Sequence, residues 1–200
     1  PRALGRADSV REAVSLSQGE LAALGTVLGS FTAVYQITGL ERFCTLVYDD
    51  PDLLQEMAVA FTDFYIETGR ALLDAGADVL LVADDHGGTA GPFISLHHWR
   101  TLVLPHFARM VHTFRSWGAP VLMHNDGDLR LYLDDLVAIG INGYHPVERA
   151  AGMDLAEIRA RYGQRLCLVG NVNNKTTMIY GTPADIEREV IECLRVAGQR

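Results

Sequence analysis

Four clusters of chemically capable side chains recur along the chain, each directly after an apolar run: Asp84-Asp85-His86-Gly87-Gly88, His124-Asn125-Asp126-Gly127, His145-Pro146-Val147-Glu148 and Asn171-Val172-Asn173-Asn174. His124 and Asp126 are two positions apart on extended backbone, so their side chains project to the same side. An imidazole and a carboxylate placed together can share a divalent metal or work as an acid/base pair. Two donors fall short of the three protein ligands that zinc takes even in an open site. A helix-capping role for Asp126, ahead of the helical pattern at Leu129, is the competing explanation. Asp84 and Asp85 are adjacent and face opposite ways, so one at most enters a site; Asp85, nearer the end of its run, is the one assigned. The candidate set is Asp85, His124 and Asp126 for catalysis, His124 and Asp126 as metal donors, and His86, His145 and Asn171 lining a substrate pocket.

The elements that must carry these clusters read as repeated β/α units. Strand-length apolar runs at Thr26–Phe31, Ala77–Ala83, Pro120–Met123, Ile141–His145 and Arg165–Val169 are each trailed by sequence of helical period. The helices are expected from Pro51 to Gly76, from Ser95 to Gly118 with a kink or split at Pro105, and over Leu129–Ile139, Asp154–Tyr162 and Thr182–Ala197. A further helical stretch is expected near Val10–Gly25. In a parallel sheet all four polar clusters fall at the carboxyl ends of the strands, the face on which barrels and open α/β sheets place their chemistry. No linker, repeat or low-complexity segment divides the 200 residues, which are read as a single domain.

Composition narrows the function classes. Seventeen Lys and Arg against 25 Asp and Glu give a net charge of -8, which repels phosphate backbones and anionic lipid headgroups; neither nucleic acid nor membrane is an expected partner. The 48% hydrophobic content supports a sizeable core, and no run approaches the roughly 20 apolar residues of a membrane span. The opening residues lack a signal-peptide apolar region, so a cytoplasmic location is expected, as is a homo-oligomer. Cys44, Cys167 and Cys193 show no CxxC spacing and read as packed, reduced thiols. No GxGxxG or GxxxxGK[ST] supports a nucleotide site, and no GxSxG a serine hydrolase. His97, His98, His106 and His112 are assigned no role, and Trp99 and Trp117 read as core or interface anchors.

The run G-A-D-V-L-L-V-A-D-D-H-G-G-T-A-G-P-F-I-S from Gly76, with Leu104-Pro105-His106-Phe107 beyond it, resembles the fourth strand and helix of the uroporphyrinogen decarboxylase superfamily. The likeness continues through PVLMHNDG (120–127), GINGYHP (140–146), Gly152-Met153-Asp154-Leu155 and LVGNVN (168–173), and covers most of residues 26–198. It implies a (β/α)8 TIM barrel of which this chain holds strands three to seven, and therefore a piece of a longer protein. It also implies one of two chemistries. Decarboxylases of the family remove acetate carboxylates from a tetrapyrrole without a cofactor. The methyltransferase branch moves methyl groups between a corrinoid protein and a thiol or similar acceptor, using zinc held by a His-x-Cys pair and a later Cys. His124-x-Asp126 stands where that branch has His-x-Cys, and His145-Pro146 stands where decarboxylases have Asp-Trp. Tyr35 matches the tyrosine after the third strand of decarboxylases, and Asp85 replaces their serine after the fourth.

These departures lean away from decarboxylation. The expected function is methyl transfer involving a small-molecule substrate and a corrinoid supplied by a partner protein, with zinc or another divalent metal at His124 and Asp126. The alternatives are cofactor-free uroporphyrinogen decarboxylation and a non-catalytic barrel fragment.

Overall fold

The computed structural model describes residues 2–198. In chain order the elements are α1 (Arg2–Ser17), β1 (Leu24–Leu28), α2 (Ser30–Thr38), α3 (Leu40–Asp49), α4 (Pro51–Asp74), β2 (Val79–Ala83), a small antiparallel hairpin of β3 (Gly87–Gly88) and β4 (Gly91–Pro92), and α5 (Leu96–His98). There follow a π-helical turn at Trp99–Val103, α6 (Leu104–Ser116), β5 (Val121–His124), α7 (Leu133–Ala138), β6 (Gly143–His145), α8 (Leu155–Tyr162), β7 (Cys167–Leu168), α9 (Thr177–Tyr180) and α10 (Pro183–Ala197). Strands β1, β2, β5, β6 and β7 form one five-stranded parallel sheet in that order. The architecture is α/β, an arc of a partial (β/α)8 barrel.

Strand alternation sorts the side chains into two faces. Val27, Val82, Met123 and Tyr144 are fully buried against the helices. On the opposite, concave face the register aligns Thr26, Leu81, Leu122, Gly143 and Cys167 in one row and Leu28, Ala83, His124 and His145 in the next. That second row is the last before the strands end, and Asp85 and Asp126 lie two residues beyond Ala83 and His124.

Local differences from the sequence expectations have physical causes. The run Thr26–Phe31 stops as a strand at Leu28, because the buried Ser30 and Phe31 begin α2 rather than extend β1. The amino-terminal helix is Arg2–Ser17, and the chain turns at Gln18 and Gly19, both at positive φ, before β1. Leu129–Ile139 contributes a helix only at Leu133–Ala138. Ser95 caps the helix after β4 as expected, its hydroxyl accepting from the His98 N–H. The interruption expected at Pro105 falls just before it, as the π-helical turn, since proline has no N–H to continue the ladder behind it. Cys167 is exposed, not packed, because it points from β7 onto the open concave face; Cys193 is buried and Cys44 half-buried, all three as free thiols.

Two glycines are required by close approach. A Cβ on Gly29 would sit within 2.3 Å of three atoms of the Asp84 side chain. One on Gly170, at φ +120°, would sit 1.7 Å from the Pro146 carbonyl oxygen. Both positions bring neighbouring strand ends against each other at the carboxyl end of the sheet. No helix of the described residues is long and apolar enough to cross a membrane.

Candidate functional site

The register that pairs His124 with His145 puts their rings side by side, with Nδ1 to Nδ1 at 2.7 Å and ring centroids at 4.9 Å. Two lone pairs cannot face each other at that distance, so one Nδ1 carries a hydrogen and donates it to the other. The outer nitrogen of His124, Nε2, lies 3.9 Å from Asp85 Oδ1 and 3.9 Å from Asp126 Oδ2. Asp85 Oδ1 also accepts from the Asp126 N–H at 2.8 Å, which ties the loop after β5 to the loop after β2. Asp128, not Asp126, accepts a backbone N–H in the turn toward α7, from Arg130, so Asp126 is left to the His124 side. The structure thus brings together Asp85, His124, Asp126 and His145.

Electrostatics follow from this packing. Burial raises the Asp85 carboxyl's pKa; the Asp126 N–H and His124 oppose the rise, while Asp126 and Asp84 add to it. His145 is lowered from the usual 6.5, by burial first and by the neighbouring His124 second, with Asp126 opposing. The sign for stability is then fixed: the folded state resists protonating His145, the unfolded chain does not, and stability is lost as pH falls through 6.5 and below. Urea midpoints measured between pH 8 and pH 5 should therefore decline less in His145→Gln than in the parent; equal declines would show that His145 does not contribute.

Tyr35, on α2, is half-buried beside these carboxylates. Burial raises its phenol pKa, a hydrogen bond with Thr32 opposes this, and the Asp85 and Asp84 charges add to it. Its ring meets Phe93 edge-on at 6.2 Å and Phe31 at 5.8 Å.

Two residues expected to line the pocket do not reach it. His86 is fully buried among Phe31, Trp99 and Phe107. The Trp99 Nε1–H donates to its Nδ1 at 3.1 Å, so the ring's hydrogen sits on Nε2 and donates to Asp84 Oδ2 at 2.8 Å. Asn171 is also buried: its amide donates to the Val147 and Met153 carbonyls and its oxygen accepts from Arg149 Nε. His86 alternates away from the concave face, and Asn171, just past Gly170 at positive φ, is drawn in under the loop after β6, so the polar character that marked them in sequence serves to hold loops in place.

That support extends to residues outside the expected set. Asp84 Oδ1 accepts from the Thr32 N–H at 2.7 Å, and the Thr32 hydroxyl accepts from the Asp85 N–H at 2.8 Å. Asn125 Oδ1 accepts from the N–H groups of His86 and Gly87 at 2.6 and 3.1 Å, while the Asn125 N–H donates to the His145 carbonyl. A buried chain from Trp99 through His86, Asp84 and Thr32 thus ends on the backbone of Asp85.

The residues present do not fit the zinc centre of the methyltransferase branch. The soft thiolate is replaced by Asp126, His124 Nδ1 is engaged by His145, and among the described residues no group of three or more His, Cys, Asp or Glu side chains is placed to hold a metal ion. His124 and Asp126, the expected metal donors, lie with the His124 Nε2 3.9 Å from Asp126 Oδ2, a spacing that suits an acid/base pair.

The family model for uroporphyrinogen decarboxylase matches residues 1–200. A uroporphyrinogen decarboxylase of Mycolicibacterium gilvum is 30% identical over 182 residues, covering 86% of this chain and 49% of the relative. A methylated-thiol–coenzyme M methyltransferase of Methanosarcina mazei is 24% identical over 197 residues, covering 97% and 50%. A solved methyltransferase structure, also from Methanosarcina mazei, superposes with a TM-score of 0.83 at 22% identity, over 95% of this chain and 54% of that one. The chain spans about half the length of the curated relatives it matches.

Proposed function

Because the chain belongs to the uroporphyrinogen decarboxylase family, we propose that the protein carrying it moves a methyl group between a corrinoid on a partner protein and a small thiol or similar acceptor, using His124 as the acid/base group. The observation that carries this reading is the character of the strand-end face. Its loops hold Arg130, Arg149 and Lys175, and each is already paired with a carboxylate, Asp128, Glu189 and Glu148 respectively. No unpaired cation among the described residues of these loops is left to hold the carboxylates of a uroporphyrinogen, whereas Asp85 and Asp126 would repel them. The match to a methyltransferase across nearly the whole chain supports the same reading.

A methylated corrinoid would supply an electrophilic methyl group. The chain's own part is to deprotonate and hold the acceptor. With the Nδ1 hydrogen of His124 donated to His145, the Nε2 lone pair is free to take the acceptor's thiol proton. Asp85 and Asp126, both 3.9 Å from Nε2, then stabilise the imidazolium that forms. The thiolate, not the thiol, is the competent nucleophile.

The test is methyl transfer from methylcobalamin to a small thiol by the full-length protein, run with and without a strong chelator. Transfer that survives chelation is the expected result. Absence of transfer to any thiol would sink the reading, and a rate abolished by chelation and restored by zinc would return the chemistry to a metal.

A further inference from the structure

A second concavity lies beside the β7 edge of the sheet, and none of Asp85, His124, Asp126 and His145 takes part in its wall. It is a groove of about 570 Å³ between α9, the first half of α10 and the loops that follow β6 and β7. That volume is in the range that takes a small molecule. Glu189 on α10 is the least exposed of its acids, with 8% of the side chain open to solvent against 59% for Glu192. Its Oε1 accepts the Asn173 N–H at 3.1 Å and pairs with Arg149 at 3.2 Å. Its Oε2 is buried, and no described residue donates to it.

A buried carboxylate oxygen left without a donor is costly, and a ligand that brings a donor removes the cost. The chemistry of the groove narrows what that ligand is. Three carboxylates, Asp185, Glu189 and Glu192, meet two guanidiniums, Arg149 and Arg188, so the wall carries one negative charge in excess. Both guanidiniums are already committed: Arg188 to Asp185, and Arg149 to Asn171, Glu189 Oε1 and Glu192. A metal ion would find no group of three His, Cys, Asp or Glu ligands among the described residues. A guanidinium ligand needs two neighbouring acceptors for its fork, and Oε1 is taken. A quaternary ammonium has no hydrogen to give. A primary ammonium, compact and with one positive charge and three donors, meets each requirement. The exposed ring of Tyr180, also part of the wall, offers an apolar surface to the chain that carries it. We infer that this groove binds a small primary alkylamine through its ammonium group, with Glu189 Oε2 as the acceptor. The binding is independent of the reaction proposed for His124.

The experiment is a chemical-shift titration of the full-length protein, read at the Asn173 amide and the Tyr180 ring, with four probes that share a pentyl chain: pentylamine, pentanol, pentyltrimethylammonium and pentanoate. Pentylamine should bind about tenfold or more tightly than pentanol or pentyltrimethylammonium, and pentanoate weakest. Glu189→Gln keeps an oxygen for the Asn173 N–H but can place a donor where the free acceptor was, and should bring pentylamine and pentanol to parity. Glu192→Gln, at an exposed position where folding is not at stake, removes the excess charge and should weaken pentylamine a few-fold while leaving pentanol unchanged. Should Glu189→Gln fail to fold, Glu192→Gln decides alone. Equal binding of pentylamine and pentanol, equal or tighter binding of pentyltrimethylammonium, shifts confined to other parts of the protein, or a preference that survives substitution would each overturn the inference. Binding of none of the four would leave water as the donor to Oε2 and overturn it as well.

Discussion

Asp84→Ala is expected to destabilise the protein by about 2–6 kcal/mol, one of the largest effects available to a single substitution here. Asp84 and His86 are both fully buried, and the tautomer set by Trp99 leaves His86 neutral with its hydrogen aimed at Asp84. Removing the carboxylate strands two donors in a dry environment, the His86 Nε2–H and the Thr32 N–H, each at a cost of about 1–3 kcal/mol. Neither donor can turn to water, since Phe31, Trp99 and Phe107 surround the imidazole and Thr32 is itself buried. For a chain of this size such a loss lowers the melting temperature by roughly 10 °C. Thermal melts of Asp84→Ala and Asp85→Ala separate the two neighbours: the first should fall by that amount and the second by much less, because Asp85 is partly exposed and holds a single loop hydrogen bond. Equal shifts in the two variants would remove the distinction between support and site.

The same pair shows what could be read from the sequence and what could not. Strand alternation alone distinguished Asp84 from Asp85, because adjacent residues of a strand must face opposite sides. The four polar clusters were legible as one face for a similar reason: parallel strands bring their carboxyl ends together whatever the loops do. His86 and Asn171 were misplaced because composition marks a residue as polar without showing whether its polarity meets solvent or a buried loop. In both cases one partner that holds the side chain lies 13 or more positions away in sequence, Trp99 for one and Met153 for the other, and no local pattern announces it. The Nδ1 contact between His124 and His145 was hidden in the same way, since it depends on the register of β5 against β6. Helices α2 and α3 escaped notice because Gly39 both ends one and opens the other, so neither shows a long amphipathic period.

Placed together, these observations divide the strand ends into two levels. Beneath the face, Trp99, His86, Asp84, Thr32 and Asn125 form a network in which each residue's direction is set by its neighbour. Above it, Asp85, His124, Asp126 and His145 are partly exposed and joined by fewer bonds. A site that must exchange protons needs the upper level free to change charge and the lower level fixed, because a shift of an ångström in Asp85 would move it out of range of His124. The close approach of Gly29 to the Asp84 side chain belongs to the lower level, since a side chain at that position would push Asp84 off the Thr32 N–H.

His124→Gln is expected to lower the methyl-transfer rate by about 10²–10⁴-fold while leaving the melting temperature within a few degrees of the parent. The side chain is 22% exposed and its loss opens no sealed cavity, so the fold has little at stake. Glutamine can keep a hydrogen bond to His145 Nδ1 but cannot take a proton, which isolates the acid/base role from the positional one. His145→Gln gives the complementary case: His124 keeps its Nε2 between Asp85 and Asp126 and retains its chemistry, but loses the acceptor that fixes which nitrogen bears the hydrogen. Its rate should fall less than that of His124→Gln, and the fall should vary with pH more than the parent's does. Raising the pH so that the acceptor thiol ionises unaided should recover much of the rate in His124→Gln, because the general base is then unnecessary. A His124→Gln deficit that stays constant from pH 7 to pH 10 would instead assign the residue to binding, and the proton transfer would have to be sought elsewhere on the face.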